Sequence, residues 1–266
     1  MSVSHEALVN HIETLALNTW PPSNQVPLGD WFLRASEGIT KRANSIWTSS
    51  GTMPSNPQWY EAAEQFYRTL GLPLRFQISD ATSPELAALL DAKRYAIEVP
   101  SSVMTASTRE ALRLTENMHG LCTAHFQPNH DDDWLTQFMM MEGHGNDPAK
   151  KQFYNALFQR IQPPACFVTL YLNRQPVAVG TAVAEEGWAG FLNVVVHRDY
   201  RGQGIGKELV HQLASWSDGQ HADHLYLQVI DDNEPAWKLY RKAGFTPLYT
   251  YHYRIQPSAN DLEQEE

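Results

Sequence analysis

The sequence predicts a mixed α+β (α/β) fold: a central sheet flanked by helices, built as two similar halves. Three observations predict it. A glycine-rich loop, Arg201-Gly202-Gln203-Gly204-Ile205-Gly206, stands between the apolar, β-branched run Phe191–Val196 and a stretch in which Ile205, Leu209, Leu213 and Trp216 share one helical face. Beyond that helix the alternation continues, with a strand-like His224–Ile230 and a helical Asn233–Phe245. Before residue 119 an order of helix, strands, helix, strand, helix, strand is repeated.

In the first half, Glu6–Trp20 is amphipathic, with Leu8, Ile12 and Leu15 on one side. Asp30–Ser36 and Ala43–Thr48 alternate like strands, and Pro57–Leu70 has helical periodicity. Leu74–Ser79 reads as a strand, Ser83–Lys93 as a helix capped by Ser83, and Tyr95–Met104 as a further strand. Arg34, Lys41, Arg42 and Asn44 lie on a polar hairpin, which either faces a substrate or is a solvated turn. Trp20, Trp31, Trp47 and Trp59 read as packing residues rather than a binding cage.

In the second half, Gly120–His125 opens with a strand, and helices follow around Asp133–Glu142 and Pro148–Ile161, separated by Gly143-His144-Gly145-Asn146. Ala165–Leu172 and Val177–Glu185 form a hairpin turning at Asn173-Arg174-Gln175-Pro176, and Trp188–Val196 returns to the glycine loop.

The 266 residues suffice for one large or two small domains, and the formal net charge of −10 argues against nucleic acid while suiting cationic amines. No apolar run approaches the ~20 residues of a membrane span. The start of the chain lacks the basic and apolar regions of a signal peptide, and Cys122 and Cys166 sit in strand-like contexts suited to reduced thiols. A cytoplasmic protein, monomer or homodimer, without membrane partners is expected. His125, His130, His221 and His224 lack the spacing of a zinc site, and Asp131–Asp133 reads as a helix start, so no metal is expected.

Bare glycine backbone at a helix N-terminus is either a tight turn with no ligand or a cradle for phosphate, in which the amides point at the ligand and no side chain blocks its approach. A dinucleotide fingerprint needs two residues between its later glycines, and only Ile205 separates Gly204 from Gly206. A Walker A loop needs glycine at 201 and a hydroxyl at 208, where the chain has Arg201 and Glu208. The segment Val196–Gly206 instead resembles the acetyl-CoA pyrophosphate loop of the GCN5-related N-acetyltransferase (GNAT) superfamily. Asn233-Glu234-Pro235-Ala236-Trp237-Lys238-Leu239-Tyr240-Arg241-Lys242-Ala243-Gly244-Phe245 resembles that family's later motif, Asn-x-x-Ala-x-x-Leu-Tyr-x-x-x-Gly-Phe. Leu89–Tyr95 echoes Leu239–Phe245, whereas Ser49–Asn56 occupies the place of a phosphate loop without resembling one. Residues 1–118 read as a degenerate GNAT-like domain on a tandem plan, the alternative being an unrelated α+β extension, with 119–256 as the catalytic GNAT domain and 257–266 as a disordered acidic tail.

The resemblance implies an amine that attacks acetyl-CoA directly. Backbone amides of Gly202, Gln203, Gly204, Ile205, Gly206 and Lys207 would hold the pyrophosphate, with Arg201 adding charge. Val194, Val195 and Val196 would present backbone to the pantetheine arm, one amide of this strand would point at the thioester carbonyl, and Asn233 would cap its helix and touch the arm. Tyr240 matches the phenol that protonates the departing thiolate; its plain alternative is a core tyrosine. Glu185 is the expected general base, with Glu186, Glu142 or a water as other possibilities; the resemblance also puts Asn193 at a strand position where some relatives carry an acid. The function expected is acetyl-CoA-dependent N-acetyl transfer to a primary amine of a small molecule or peptide; the alternative is a non-catalytic acyl-CoA-binding regulatory module.

Overall fold

The computed structural model describes residues 4–49, 51–116 and 120–257, so Ser50, His119 and the expected tail from 258 onward lie outside it. The elements in chain order are α1 (His5–Thr19), β1 (Asn24–Leu28), β2 (Trp31–Ala35), β3 (Ile46–Trp47), α2 (Trp59–Thr69), β4 (Arg75–Ser79), α3 (Pro84–Ala92) and β5 (Ala96–Ser107). There follow α4 (Thr108–Thr115), β6 (Thr123–Gln127), α5 (Asp132–Met141), α6 (Pro148–Gln159), β7 (Ala165–Leu172), β8 (Gln175–Glu185) and β9 (Trp188–Val196). The last four are α7 (Ile205–Gly219), β10 (His224–Ile230), α8 (Glu234–Lys242) and β11 (Thr246–Ile255). No described helix is long and apolar enough to cross a membrane.

Local chemistry sets most of these boundaries. Ser83 Oγ accepts from the Glu85 amide at 3.3 Å, with Pro84 opening α3. Asp131 Oδ1 accepts from the Trp134 amide at 2.8 Å, so the acidic triplet begins a helix as its sequence indicates. The β7–β8 turn holds Asn173 and Arg174 at φ 50° and 67°, the left-handed pair whose twist matches a two-residue hairpin.

Two elements were not expected. Pro27 and an exposed surface disguise the short strand β1. Helix α4 buries Thr108, Ala111 and Thr115, small residues that give no apolar stripe to read.

The chain forms two units that interleave, in place of the linear division expected at 118/119. Unit 1 runs up to Thr14, then Trp20–Ser102, and takes the chain again from Tyr249; unit 2 holds Leu15–Thr19 and Val103–Leu248. The strand order is β1-β2-β3-β4-β11-β5 in the first and β5-β10-β9-β8-β7-β6 in the second. Strand β11, which ends the second half, runs antiparallel to β4 from Tyr251↔Ser79 to Ile255↔Arg75. Strand β5, which ends the first half, stands beside β10, and its residues from Val103 belong to unit 2. Each half thus contributes part of its last strand to the other unit: Val103–Ser107 of β5 to unit 2, and β11 from Tyr249 to unit 1.

Unit 1 packs Trp31, Trp59, Tyr67, Phe76, Leu86 and Leu90 into one core, with the Trp31 and Trp59 rings edge to face at 5.3 Å. These tryptophans are packing residues, as read from the sequence. The polar hairpin also has internal duties. Arg34 is buried, its Nε donating to the Ser45 carbonyl at 3.0 Å and its guanidinium reaching Gln77 Oε1 at 2.7 Å. Lys41 pairs with Glu98 at 2.7 Å, and Asn44 Oδ1 accepts from the Ser36 amide at 2.7 Å. Strands β3 and β4 are parallel over only two residues, and past them Ser49 Oγ meets Ser79 Oγ at 2.8 Å and donates to Glu13 at 3.0 Å. Side-chain hydroxyls therefore close the gap beyond the short β3–β4 ladder.

In unit 2, α7 presses Ile205, Leu209, Val210, Leu213 and Ala214 onto Val168, Leu170, Ala178, Ala182, Phe191 and Leu225 of the sheet. Burying each such large side chain contributes roughly 1.5–3 kcal/mol, so this face fixes where the helix start sits.

Candidate active site

Strands β9 and β10 are parallel and paired from Trp188↔His224 to Phe191↔Leu227, where the ladder ends. Both strands continue, β9 through Val196 and β10 through Ile230. The separation leaves the β10-facing backbone groups of Leu192–Val196 without a neighbouring strand. On its other side β9 pairs with β8, and there it carries a bulge: Val179 faces Val195 and Thr181 faces Leu192, so Asn193 and Val194 together face the single residue Gly180. Asn193 sits at φ 53°, which asparagine tolerates better than most residues.

The glycine loop begins where β9 ends. A 3-10 turn at Arg198–Tyr200 leads to Gly202 and Gly204 at φ 77° and 86°, and Gly204 is the N-cap of α7. Arg201 Nε donates to the Val196 carbonyl at 3.1 Å, and Gln203 Nε2 to the Asp199 carbonyl at 3.2 Å, so two side chains brace the loop from within. The amides of Lys207 and Glu208 both turn onto the Gly204 carbonyl, at 3.0 and 3.1 Å. Ile205 and Gly206, the first two helical residues, have no carbonyl one turn back to bond, so their amides stand at the open N-terminus of α7. Of the expected phosphate amides, that of Lys207 is thus the one drawn into the helix. A Cβ on Gly206 would lie 3.2 Å from Leu239 Cδ2 and 3.6 Å from Val196 Cγ2, so the start of α7 is packed closely against α8 and the end of β9.

Helix α8 carries Tyr240. Asn233 Oδ1 caps it by accepting from the Ala236 amide at 3.2 Å, and Gly244, at φ 90°, ends it while the Phe245 amide returns to the Tyr240 carbonyl at 3.0 Å. The Tyr240 side chain is buried, and its phenol pKa is pushed up, first by burial and then by the Glu142 carboxylate. Glu142 is the C-cap of α5. Its surface is open to solvent, yet the surrounding protein pushes its carboxyl pKa up and the Arg201 guanidinium opposes that rise. Arg201, Glu142 and Tyr240 therefore lie in one electrostatic neighbourhood. Gln228, just past the last paired residue of β10, buries an amide oxygen that meets no donor among the described residues.

Glu185 lies elsewhere. It closes β8 opposite Trp188, at the start of β9, five residues or ~16 Å along the strand from Asn193. Both its carboxylate oxygens accept from Asn18 Nδ2 at 3.0 Å, and Glu186 forms the adjoining turn at φ 50°. The structure brings Val194, Val195, Val196, the loop, Asn233 and Tyr240 together but does not bring Glu185 to them. The carboxylate it supplies in that place is Glu142. No group of three metal-binding side chains occurs among the described residues, and Cys122 and Cys166 are free thiols.

Comparison with known proteins agrees with this geometry. The family model described as "Probable histone acetyltransferase Rv0428c C-terminal" matches residues 7–254. A curated relative from Bacillus subtilis (strain 168), named "Uncharacterized N-acetyltransferase YobR", is 36% identical over 248 residues, covering 93% of this chain and 98% of its own length. Among solved structures, a GCN5-related N-acetyltransferase from Kribbella flavida has a TM-score of 0.73 at 16% identity, over 96% of this chain and 98% of that one. A tandem GNAT protein from the clavulanic acid biosynthesis pathway has a TM-score of 0.65 at 11% identity, over 94% and 88%. With a family model matched over nearly its whole length and a splayed, glycine-capped sheet of this kind, the chain belongs to the GCN5-related N-acetyltransferase superfamily and is an acetyltransferase.

Proposed function

We propose that the protein transfers the acetyl group of acetyl-CoA to a primary amine of a small molecule or peptide, by direct attack and without an acyl-enzyme. The observation that carries this reading is the parting of β9 and β10 immediately before the glycine loop. It supplies, in one line, free strand backbone for an extended amide-bearing arm and a helix N-terminus for its phosphates. The amides of Gln203–Gly206 and the Arg201 guanidinium hold the pyrophosphate, and the exposed edge of Val194–Val196 holds the pantetheine. A backbone amide at the bulge of β9 polarises the thioester carbonyl and receives the developing oxyanion.

Glu142, directly or through a water, takes the proton that the attacking amine must lose. Collapse of the tetrahedral adduct breaks the carbon–sulfur bond, and Tyr240 gives its phenolic proton to the thiolate. The two groups help one another. Burial, and after it the Glu142 carboxylate, raises the phenol pKa, so Tyr240 stays protonated and able to donate. Once Glu142 has taken a proton, its part of that rise is removed while the effect of burial stays, which makes the phenol a somewhat better donor as the thiolate leaves. A pure acyl-CoA-binding module would need no such pair.

The test is CoA release from acetyl-CoA in the presence of pooled amines (amino acids, polyamines, aminoglycosides, short lysine peptides), with mass detection of products. An amine heavier by one acetyl group supports the reading and names the acceptor. Tight acetyl-CoA binding with no product from any pool would favour the binding module, and no binding at all would remove the loop assignment.

A further inference from the structure

Within the apolar run Phe191-Leu192-Asn193-Val194-Val195-Val196, one residue is polar, and it is the residue at positive φ in the bulge. Valine or leucine at φ 53° would be strained by its Cβ; asparagine tolerates the conformation. Its side chain is also anchored. Asn193 Nδ2 donates to Thr181 Oγ1 at 3.2 Å, and Thr181 is fully buried on β8, one residue beyond Gly180. Gly180 faces the bulge on one strand and α7 on one side of the sheet, since a Cβ there would lie 3.1 Å from Leu213 Cδ1 and 3.2 Å from Leu209 Cδ1. The helix that starts at the phosphate loop and the bulge are thus referred to the same point of β8. Without a fixed bulge, a one-residue slip of β9 would turn every following side chain and amide to the opposite side.

We propose that the hydrogen bond from Asn193 to Thr181 is a latch that fixes the bulge of β9, and with it the amide that meets the thioester carbonyl. Asn193 is then a positioning residue of the acyl site, acting through backbone. The proposal rests on the acetyl-CoA reading above.

The latch makes a prediction about recognition that needs no acceptor. The amide can distinguish acetyl-CoA from S-ethyl-CoA, a thioether with the same chain and no carbonyl. Calorimetric titration of the full-length protein with each should show acetyl-CoA bound about tenfold more tightly, the share of one well-placed hydrogen bond. In Thr181→Val, which removes only the anchor, and in Asn193→Ala, which removes anchor and backbone tolerance, that preference should fall to about twofold or less with S-ethyl-CoA affinity unchanged. Asn193→Gly, which keeps the backbone tolerance without the side chain, should fall between. A preference equal to wild type in both Thr181→Val and Asn193→Ala, whatever happens to their unfolding temperatures, overturns the latch and leaves the contact as ordinary packing. A wild-type protein that binds both molecules equally overturns the amide assignment and the latch together. One that binds neither removes the acetyl-CoA reading itself, a result distinguishable from the other two.

Discussion

Tyr249 donates a 2.6 Å hydrogen bond to Glu13, across 236 residues of sequence. Glu13 is fully buried in α1 and also accepts from Trp47 Nε1 at 3.1 Å, Ser49 Oγ at 3.0 Å and Gln77 Nε2 at 2.9 Å. A buried carboxylate is tolerated only when such donors replace water, so the first helix of unit 1 depends on the last strand of the chain. Tyr249→Phe should lower unfolding stability by roughly 1.5–3 kcal/mol in a denaturant titration, with acetyl transfer retained at temperatures where the protein is folded.

A stronger version of the same dependence concerns the isolated second half. A fragment of residues 119–256 lacks β5 and the Leu15–Thr19 segment that complete unit 2, and its β11 lacks β4. It should therefore show no cooperative unfolding transition by circular dichroism, and co-expression with residues 1–118 should restore one. A fragment that melts cooperatively by itself would contradict the interleaved division.

Replacing Tyr240 by phenylalanine should leave acetyl-CoA affinity within about twofold and lower kcat by roughly 10²–10⁴, the usual contribution of one positioned proton donor. The aromatic packing on Phe245, 5.8 Å between ring centres, is retained by phenylalanine, so a fall in activity reports the hydroxyl. Unchanged kcat would make Tyr240 a core residue only.

For Glu142 the prediction has a sign in pH. The surrounding protein raises the carboxyl pKa against the opposing pull of Arg201, so its active, ionised form is lost as pH falls through a value above the ordinary glutamate range. The acid limb of kcat/KM should lie correspondingly high and should be absent or shifted in Glu142→Gln, whose rate should drop by roughly 10²-fold or more. A carboxyl with a raised folded pKa adds stability below its unfolded pKa, and that contribution is lost as pH rises through the folded value. Glu142→Gln should therefore be somewhat more stable than wild type at neutral pH while less active. Glu185→Gln, tied to Asn18 at the far end of β9, should keep the wild-type pH profile.

Gly204 holds φ 86° at the N-cap of α7. Gly204→Ala should cost about 1–2 kcal/mol in stability from the left-handed backbone alone. It should also weaken acetyl-CoA binding, because relaxing that strain moves the amides of Ile205 and Gly206. Titration calorimetry and a melting curve on the same variant separate the two effects.

Most of the architecture could be read from the sequence because the cues were local. Asn233, Pro235 and Gly244 bracket α8, Gly202 and Gly204 announce the loop, and the Ala165–Glu185 hairpin declares its own turn. What escaped reading depends on partners distant in sequence. Strands β5 and β11 both follow a helix and a tight turn, and nothing in either segment says which unit it joins. Glu185 and Glu142 are equally plain glutamates in sequence; only the fold places one beside Tyr240 and Arg201 and the other against Asn18. The bulge did leave a trace. An asparagine interrupting five apolar neighbours signals a backbone that leaves the regular strand, although its partner Thr181 could not be named in advance.

The exchanged strands also bear on how the protein is made. Synthesis runs from the N-terminus at roughly 5–20 residues per second, so Glu13 waits some ten seconds or more for Tyr249 to leave the ribosome. During that interval unit 1 has a buried-carboxylate site without its 2.6 Å donor and a β4 edge without its neighbour. A chain interrupted before β11 would leave the first-made unit without the strand that stands between β4 and β5.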